Sequence, residues 1–149
     1  HVLDRVESGL KPDLVRALGA TYHSGRVMDL AFAPDAIVEC TGVGSVLADA
    51  VQKIGAGGIL CLTGVGGGGH PASYTVADIA AKMVLNNNVL VGSVNANKRH
   101  WYKASQALVE ADRAWLGRLI TRREKPERFQ QALQRTPDDI KVVIQFSEA

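Results

Sequence analysis

Cysteine, aromatic residues and net charge are all scarce in this 149-residue chain, and each scarcity removes a class of function. The two cysteines, Cys40 and Cys61, are not in CxxC spacing, and no HExxH motif or Cys/His cluster exists. A closed zinc site has no ligands in this sequence, and no metal-binding residue is expected. Each cysteine sits instead in an apolar segment, VECTG or LCLTG, that reads as a buried strand. That setting predicts two reduced core thiols rather than a disulfide. Aromatics make up 5%, the formal charge is +2, and basic residues are dispersed apart from Arg122, Arg123 and Lys125. Such a surface has neither the basic stripe nor the stacking platforms that nucleic acid requires. No apolar run reaches the roughly 18 to 20 residues of a membrane span. No basic n-region followed by an apolar core opens the chain. A soluble, cytoplasmic protein with no nucleic-acid or membrane partner is expected.

What is present is material for a core: 46% of the residues are apolar against 21% charged. Apolar runs alternate with helical patterns, the rhythm of βαβ units in a parallel sheet. His1 to Leu3 reads as the end of a strand, Asp13 to Leu18 as a helix closed by Gly19, and Thr21 to His23 as a short strand. Ala36 to Cys40, Ile59 to Thr63 and Val89 to Val94 read as buried strands, with helices over Val46 to Ile54 and Thr75 to Leu85 between them. Asn86, Asn87 and Asn88 predict a helix end and a turn, because asparagine tolerates left-handed backbone. Trp101 to Val109, Trp115 to Thr121 and Phe129 to Leu133 fit helices, and Ile140 to Phe146 alternates as a half-covered strand does. Residues 1–110 are therefore expected to form the parallel α/β domain, and residues 111–149 to return to a neighbouring domain. His1 with no preceding Met, leading almost at once into an apolar run that ends in Asp4, reads as a fold already in progress.

Gly64-Val65-Gly66-Gly67-Gly68-Gly69 formally satisfies GxGxxG after a strand. A working dinucleotide fingerprint opens a helix at its third glycine and finds an acid closing the next strand about 20 residues on. Here His70-Pro71 follow, and the next strand ends in Ser93-Val94-Asn95, so a loop over a ligand cleft is the better reading. Gly42-Val43-Gly44, with Leu47 where the last glycine belongs, reads as a strand-to-helix turn. In a parallel sheet such turns lie at the carboxyl edge, where open α/β sheets bind ligands. Thr41, Gly42, Thr63, Gly64, Val65 and Asn95 all fall there and make a candidate ligand-facing row. Asp4, closing a strand, is placed for an adenosine ribose 2′-hydroxyl and Arg5 for a 2′-phosphate; a solvated Asp-Arg pair is the alternative. His23, His70 and His100 are scattered, and no chemistry is assigned to them.

Four segments occur in an informative order and spacing: Val38-Glu39-Cys40-Thr41-Gly42-Val43, Leu60-Cys61-Leu62-Thr63-Gly64-Val65, Met83-Val84-Leu85-Asn86-Asn87 and Leu90-Val91-Gly92-Ser93-Val94-Asn95. Together they resemble the glucose dehydrogenases of the zinc-containing medium-chain superfamily. His100-Trp101 with the alanine-bearing helix after it, and the ending Asp139 to Phe146, are similar to the same family, so the resemblance covers essentially the whole chain. It implies a Rossmann-type doubly wound parallel sheet, its first strand and glycine fingerprint missing, plus a C-terminal piece of the catalytic domain. It implies NAD or NADP as coenzyme, contacted by Asp4, Arg5, Thr41, Gly42, Thr63, Gly64 and Val65, with Asn95 beside both the nicotinamide and a sugar hydroxyl. It further implies oxidation of C1 of a sugar to the lactone, zinc in a parent enzyme but with no ligands in this chain, and a homo-oligomer paired through Val89 to Val94.

The sequence departs from sugar dehydrogenases that prefer NADP, which often carry consecutive arginines where Arg5 stands between Asp4 and Val6. NAD, NADP or dual use stays open on that ground. Another medium-chain alcohol or polyol dehydrogenase, and a stand-alone nucleotide-binding regulatory module, are the alternative readings, because fold does not fix substrate.

Overall fold

The computed structural model describes residues 1–66 and 75–147. Two compact units form: Ser24–Trp101, and His1–His23 together with the chain from Tyr102 onward. In the latter, β1 (Val2–Leu3) and β2 (Tyr22–His23) pair in parallel on either side, in sequence, of helix α1 (Leu10–Ala17). The helix begins earlier than its apolar spacing indicates. Pro12 stands in its first turn, where no N–H partner is needed, and is buried with Leu14. Gly19, at φ +74, closes the helix as expected.

The unit Ser24–Trp101 holds a parallel sheet in the order β3 (Ala36–Glu39), β4 (Ile59–Leu62), β5 (Val89–Gly92), crossed over by α2 (Gly44–Lys53) and α3 (Val76–Leu85). The register sets Ile37 beside Leu60 and Leu60 beside Leu90, with Val38, Cys61 and Val91 in the next row. Side chains alternate along a strand, so these two rows face opposite ways. On the first face Ala50, Val51 and Leu60 form the core, with Ile37, Leu47, Leu62, Ile79 and Met83 packed against it. The second face is open: Val38 is 64% exposed, and Ile59, Val89 and Val91 are exposed as well. The expectation of three buried strands thus holds only for the helix-covered side of β3 and β4, where α2 and α3 contribute to the same core, while β5 is exposed along its whole length, Leu90 included. Nor is the expected pair of core thiols found. Cys40, one residue past β3, is exposed, and Cys61, on the open face, is half-buried; both are free.

α3 starts with a reciprocal cap, the Thr75 hydroxyl accepting from the Asp78 amide and the Asp78 carboxylate from the Thr75 amide. It ends in the asparagine turn, with Asn87 at φ 53.

The rest of the chain contains α4 (Lys98–Glu110), α5 (Arg113–Leu119), β6 (Ile120–Glu124), α6 (Phe129–Leu133) and β7 (Lys141–Ile144), with β6 parallel to β7. Asp112 caps α5 by accepting from the Ala114 and Trp115 amides. The Trp115 indole N–H donates to the Leu14 carbonyl at 2.8 Å and so ties α5 to α1. β6 replaces the end of a helix expected to reach Thr121. Its Ile-Thr-Arg-Arg-Glu sequence has no apolar alternation, but Arg122 is held on every donor. It binds both Asp139 oxygens at 3.2 and 2.9 Å, Glu124 at 3.4 Å, and the Gln131 and Gln134 carbonyls at 2.9 and 2.7 Å. No helix among the described residues is long and apolar enough to cross a membrane.

Candidate functional site

β3 ends at Glu39, a carboxylate with 4% of its residue surface exposed. The turn that follows is wrapped on it. The Thr41 amide donates to it at 2.6 Å, the Gly42 amide at 3.1 Å to each oxygen, and the Thr41 hydroxyl donates as well. The same hydroxyl accepts from the Val43 amide at 3.1 Å, one residue before α2 begins at Gly44. Burial pulls the Glu39 pKa upward, but the Thr41 hydroxyl and the two amides outweigh it, and the carboxyl sits below its ordinary value. Thr41 and Gly42 therefore owe their position to a residue that sequence reading passed over. The signal available was a glutamate closing an apolar strand directly before Thr-Gly.

Glycine is required where this turn meets the one after β4. Gly42 has φ +66, and a Cβ there would run into the Gly66 amide nitrogen and lie 2.8 Å from the Val65 carbonyl carbon. A Cβ on Gly64 would strike the Gly42 nitrogen, and one on Gly66 the Gly42 carbonyl oxygen. The two loops thus lie backbone on backbone. Thr63 joins them, its amide and hydroxyl both donating to the Glu39 carbonyl, at 2.8 and 3.0 Å. Thr41, Gly42, Thr63, Gly64 and Val65 are in this way brought into one platform at the carboxyl edge of the sheet. Gly64 and Gly66 serve loop packing, while Gly67, Gly68 and Gly69 of the formal GxGxxG lie outside the described residues, as does His70. Asn95 follows β5 and is exposed; before it, the Ser93 amide extends the pairing by donating to the Leu62 carbonyl at 2.9 Å.

Asp4 and Arg5 belong to the other compact unit. Asp4 directly follows β1, and its amide donates to the His23 carbonyl at 3.2 Å. Its carboxylate accepts from the Arg5 amide at 2.6 Å and from the Lys11 ammonium, in the first turn of α1, at 3.2 Å. The Tyr22 hydroxyl donates to the Val6 carbonyl and fixes the connection between them. Burial raises the Asp4 pKa, but the Arg5 amide and Lys11 outweigh it, so the carboxyl lies below its ordinary value. The two side chains are 33% and 37% exposed. An ion pair in that setting contributes about 0 to 1 kcal/mol, so Lys11 can change partner at little cost. Lys11 was not among the residues expected from sequence, since no helical or strand period links it to Asp4.

Among the described residues, no three His, Cys, Asp or Glu side chains come together in a group that could hold a metal ion. A concavity of about 380 Å³ opens at the ends of β6 and β7, lined in part by Arg123, Glu124, Lys125, Arg128 and Phe146. None of the expected site residues lines it.

The family model described as the glucose dehydrogenase C-terminus matches residues 1–146. The chain is 35% identical over 152 residues to glucose 1-dehydrogenase 1 of Caldivirga maquilingensis, which covers 98% of this chain and 42% of that protein. It is 35% identical over 150 residues to the glucose 1-dehydrogenase of Thermoproteus tenax, with 97% and 42% covered. Among solved structures, the Haloferax mediterranei glucose dehydrogenase in complex with NADP, Zn and gluconolactone matches with a TM-score of 0.86. The identity there is 28%, over 99% of this chain and 43% of that one. The chain thus spans 42% of the length of these curated relatives.

Proposed function

Because the chain belongs to the glucose dehydrogenase family, matched over residues 1–146 by its C-terminal model, we propose that it is the coenzyme-binding part of an NAD(P)-dependent glucose, or broader aldose, 1-dehydrogenase. The observation that carries this reading is the platform at the carboxyl edge, where Thr41, Gly42, Thr63, Gly64 and Val65 meet backbone to backbone. Open α/β sheets bind nucleotides at that edge, and side-chain-free glycine backbone lets a flat ligand approach closely. Asp4 accepts from the adenosine ribose, with Arg5 beside it. Asn95, exposed past β5, bonds the nicotinamide carboxamide and a sugar hydroxyl.

A bound nicotinamide would supply the hydride acceptor for oxidation at C1 of the sugar. This chain's residues orient that ring. No group of three His, Cys, Asp or Glu among the described residues fits a zinc site. Residues 1–110 supply the coenzyme half in this reading, and residues 111–149 the return to the catalytic half. A cytoplasmic homo-oligomer is the proposed form, with β5 the pairing strand. Its support is that, among the described residues, β5 pairs with β4 on one side alone and that Val89, Leu90 and Val91 are exposed along it.

The test is Asn95→Ala in the full-length dehydrogenase, assayed with glucose, other aldoses and simple alcohols. The sugar KM should rise and kcat fall by roughly tenfold or more, with an unchanged melting temperature, because an orienting contact is lost rather than a fold element. Unaltered sugar kinetics would return Asn95 to a turn role. Activity on simple alcohols alone would move the enzyme to another branch of the superfamily.

A further inference from the structure

β6 runs out in Arg123-Glu124-Lys125, and the 3₁₀ turn Pro126–Arg128 after it brings a third cation round to the same place. Beside them stands the end of β7, where the Gln145 amide donates to the Glu124 carbonyl at 2.8 Å and an exposed Phe146 follows. These residues line the concavity of about 380 Å³. It lies wholly within one compact unit and shares no residue with the coenzyme platform. The charges in its wall are unequally committed. Glu124 faces Arg122 at 3.4 Å and Arg128 at 3.8 Å, and Arg122 is shared with Asp139, so these four groups balance one another. Arg123 and Lys125, both exposed, join no ion pair among the described residues. The acid left to offset them is Glu127, exposed and likewise outside every such pair.

The two uncommitted cations are placed to act together. Lys125, at φ −76 and ψ 156, continues the extended backbone of β6, and residues two apart on extended chain lean to the same side. A planar guanidinium with paired donors and a flexible ammonium make a grip suited to the oxygens of a phosphate. A bare phosphate ion would leave most of the space empty. The volume is that of a small-molecule pocket, about 300 to 1,000 Å³, and Phe146 supplies an aromatic wall against which a ring can lie. We propose that this concavity is a second ligand site, taking a phosphate monoester of a ring-bearing small molecule, with Arg123 and Lys125 on the phosphate and Phe146 against the ring. A sugar phosphate and a nucleoside monophosphate share that chemistry.

The test is calorimetric titration of the full-length dehydrogenase, saturated with reduced coenzyme so that the coenzyme site is closed to other nucleotides. The probes are glucose 6-phosphate, adenosine 5′-monophosphate and inorganic phosphate, with glucose as the uncharged control. At least one ester should bind more tightly than inorganic phosphate, and the better of the two identifies the body of the ligand. Arg123→Gln should weaken that ester about tenfold, and Arg123→Gln combined with Lys125→Gln about a hundredfold. The melting temperature should stay unchanged, because both side chains are exposed, and so should the affinity for glucose. Phe146→Ser should weaken the ester and leave inorganic phosphate as it was. If neither ester binds at about millimolar concentration, or if the double variant binds the ester as the parent does, the site is not there. Inorganic phosphate binding as tightly as both esters would overturn the assignment to a ring-bearing ligand.

Discussion

The two compact units lean on different chemistry to hold their strands. Ser24–Trp101 is built around apolar atoms: Ala50 and Val51 are 1% exposed and Leu60 is 0%. In the unit that contains β6 and β7, Leu14 and Pro12 are the buried apolar side chains, and β6 is held by an arginine, Arg122, saturated by Asp139, Glu124 and two carbonyls. An apolar centre is non-directional and tolerates reshaping, whereas a polar one depends on every partner being present. The first kind leaves a periodic trace in a sequence and the second does not.

The sharpest way to probe the apolar unit is Leu60→Ala. Leu60 lies at the centre of β4 with α2 and α3 against it, and truncation leaves a cavity in a fully buried place. The expected loss is about 2 to 5 kcal/mol in urea unfolding. A loss under about 1 kcal/mol would mean that this sheet face is not packed as described.

Gly64→Ala comes next and reports on the platform rather than the core. Its new Cβ would meet the backbone of Cys40, Thr41 and Gly42, which cannot rotate away as a side chain would. About 1 to 3 kcal/mol should be lost, as for overpacking elsewhere, together with coenzyme affinity. Gly92→Ala is the matched control, since a Cβ there meets nothing within 4 Å; its effect should stay within about 0.5 kcal/mol. Equal effects for the two would show that glycine at position 64 is not needed for loop contact.

The same contrast explains what could be read in advance. β3, β4 and β5 were legible because Ala36 to Val38, Ile59 to Leu62 and Val89 to Val91 are apolar runs spaced by helical patterns. Their coverage was not, because a continuous apolar run does not say whether one face or two will be packed, and Val38 and Val91 turned out open. β6 was invisible: the helix was expected to run to Thr121, Arg122 and Arg123 stood out only as neighbouring basic residues, and the partners of Arg122 include Asp139, seventeen positions on, and the Gln131 and Gln134 carbonyls. At the candidate site the glycines and threonines were legible as strand-end punctuation. Glu39 and Lys11 were not, since what each holds is set by a turn and by the join of α1 to its loop rather than by periodicity. The role of Gly64 came from the close approach of a loop more than twenty residues away in the chain.

The smallest effect, and the one that isolates the polar unit, is its response to acid. Arg122 and the Thr136 amide hold the Asp139 carboxyl at about 2, down from 3.8, against the upward pull of burial. A depressed folded-state value means that the unfolded chain takes up the proton first as pH falls. Stability from Asp139 is therefore fully present above about pH 4 and is lost progressively down to about pH 2. Asp139→Asn removes the titrating group and leaves Arg122 facing an amide with one acceptor oxygen instead of two. The variant should be less stable than the parent at neutral pH, and the gap should narrow as pH falls through that window. Glu39, Asp4 and Asp78, also depressed, keep titrating in both proteins and set the acid sensitivity that remains. Urea midpoints of parent and variant between about pH 2 and pH 7 measure the gap directly. A gap that stays constant across the window would show that Asp139 keeps its ordinary pKa in the fold, and that Arg122 is held by the Gln131 and Gln134 carbonyls rather than by charge.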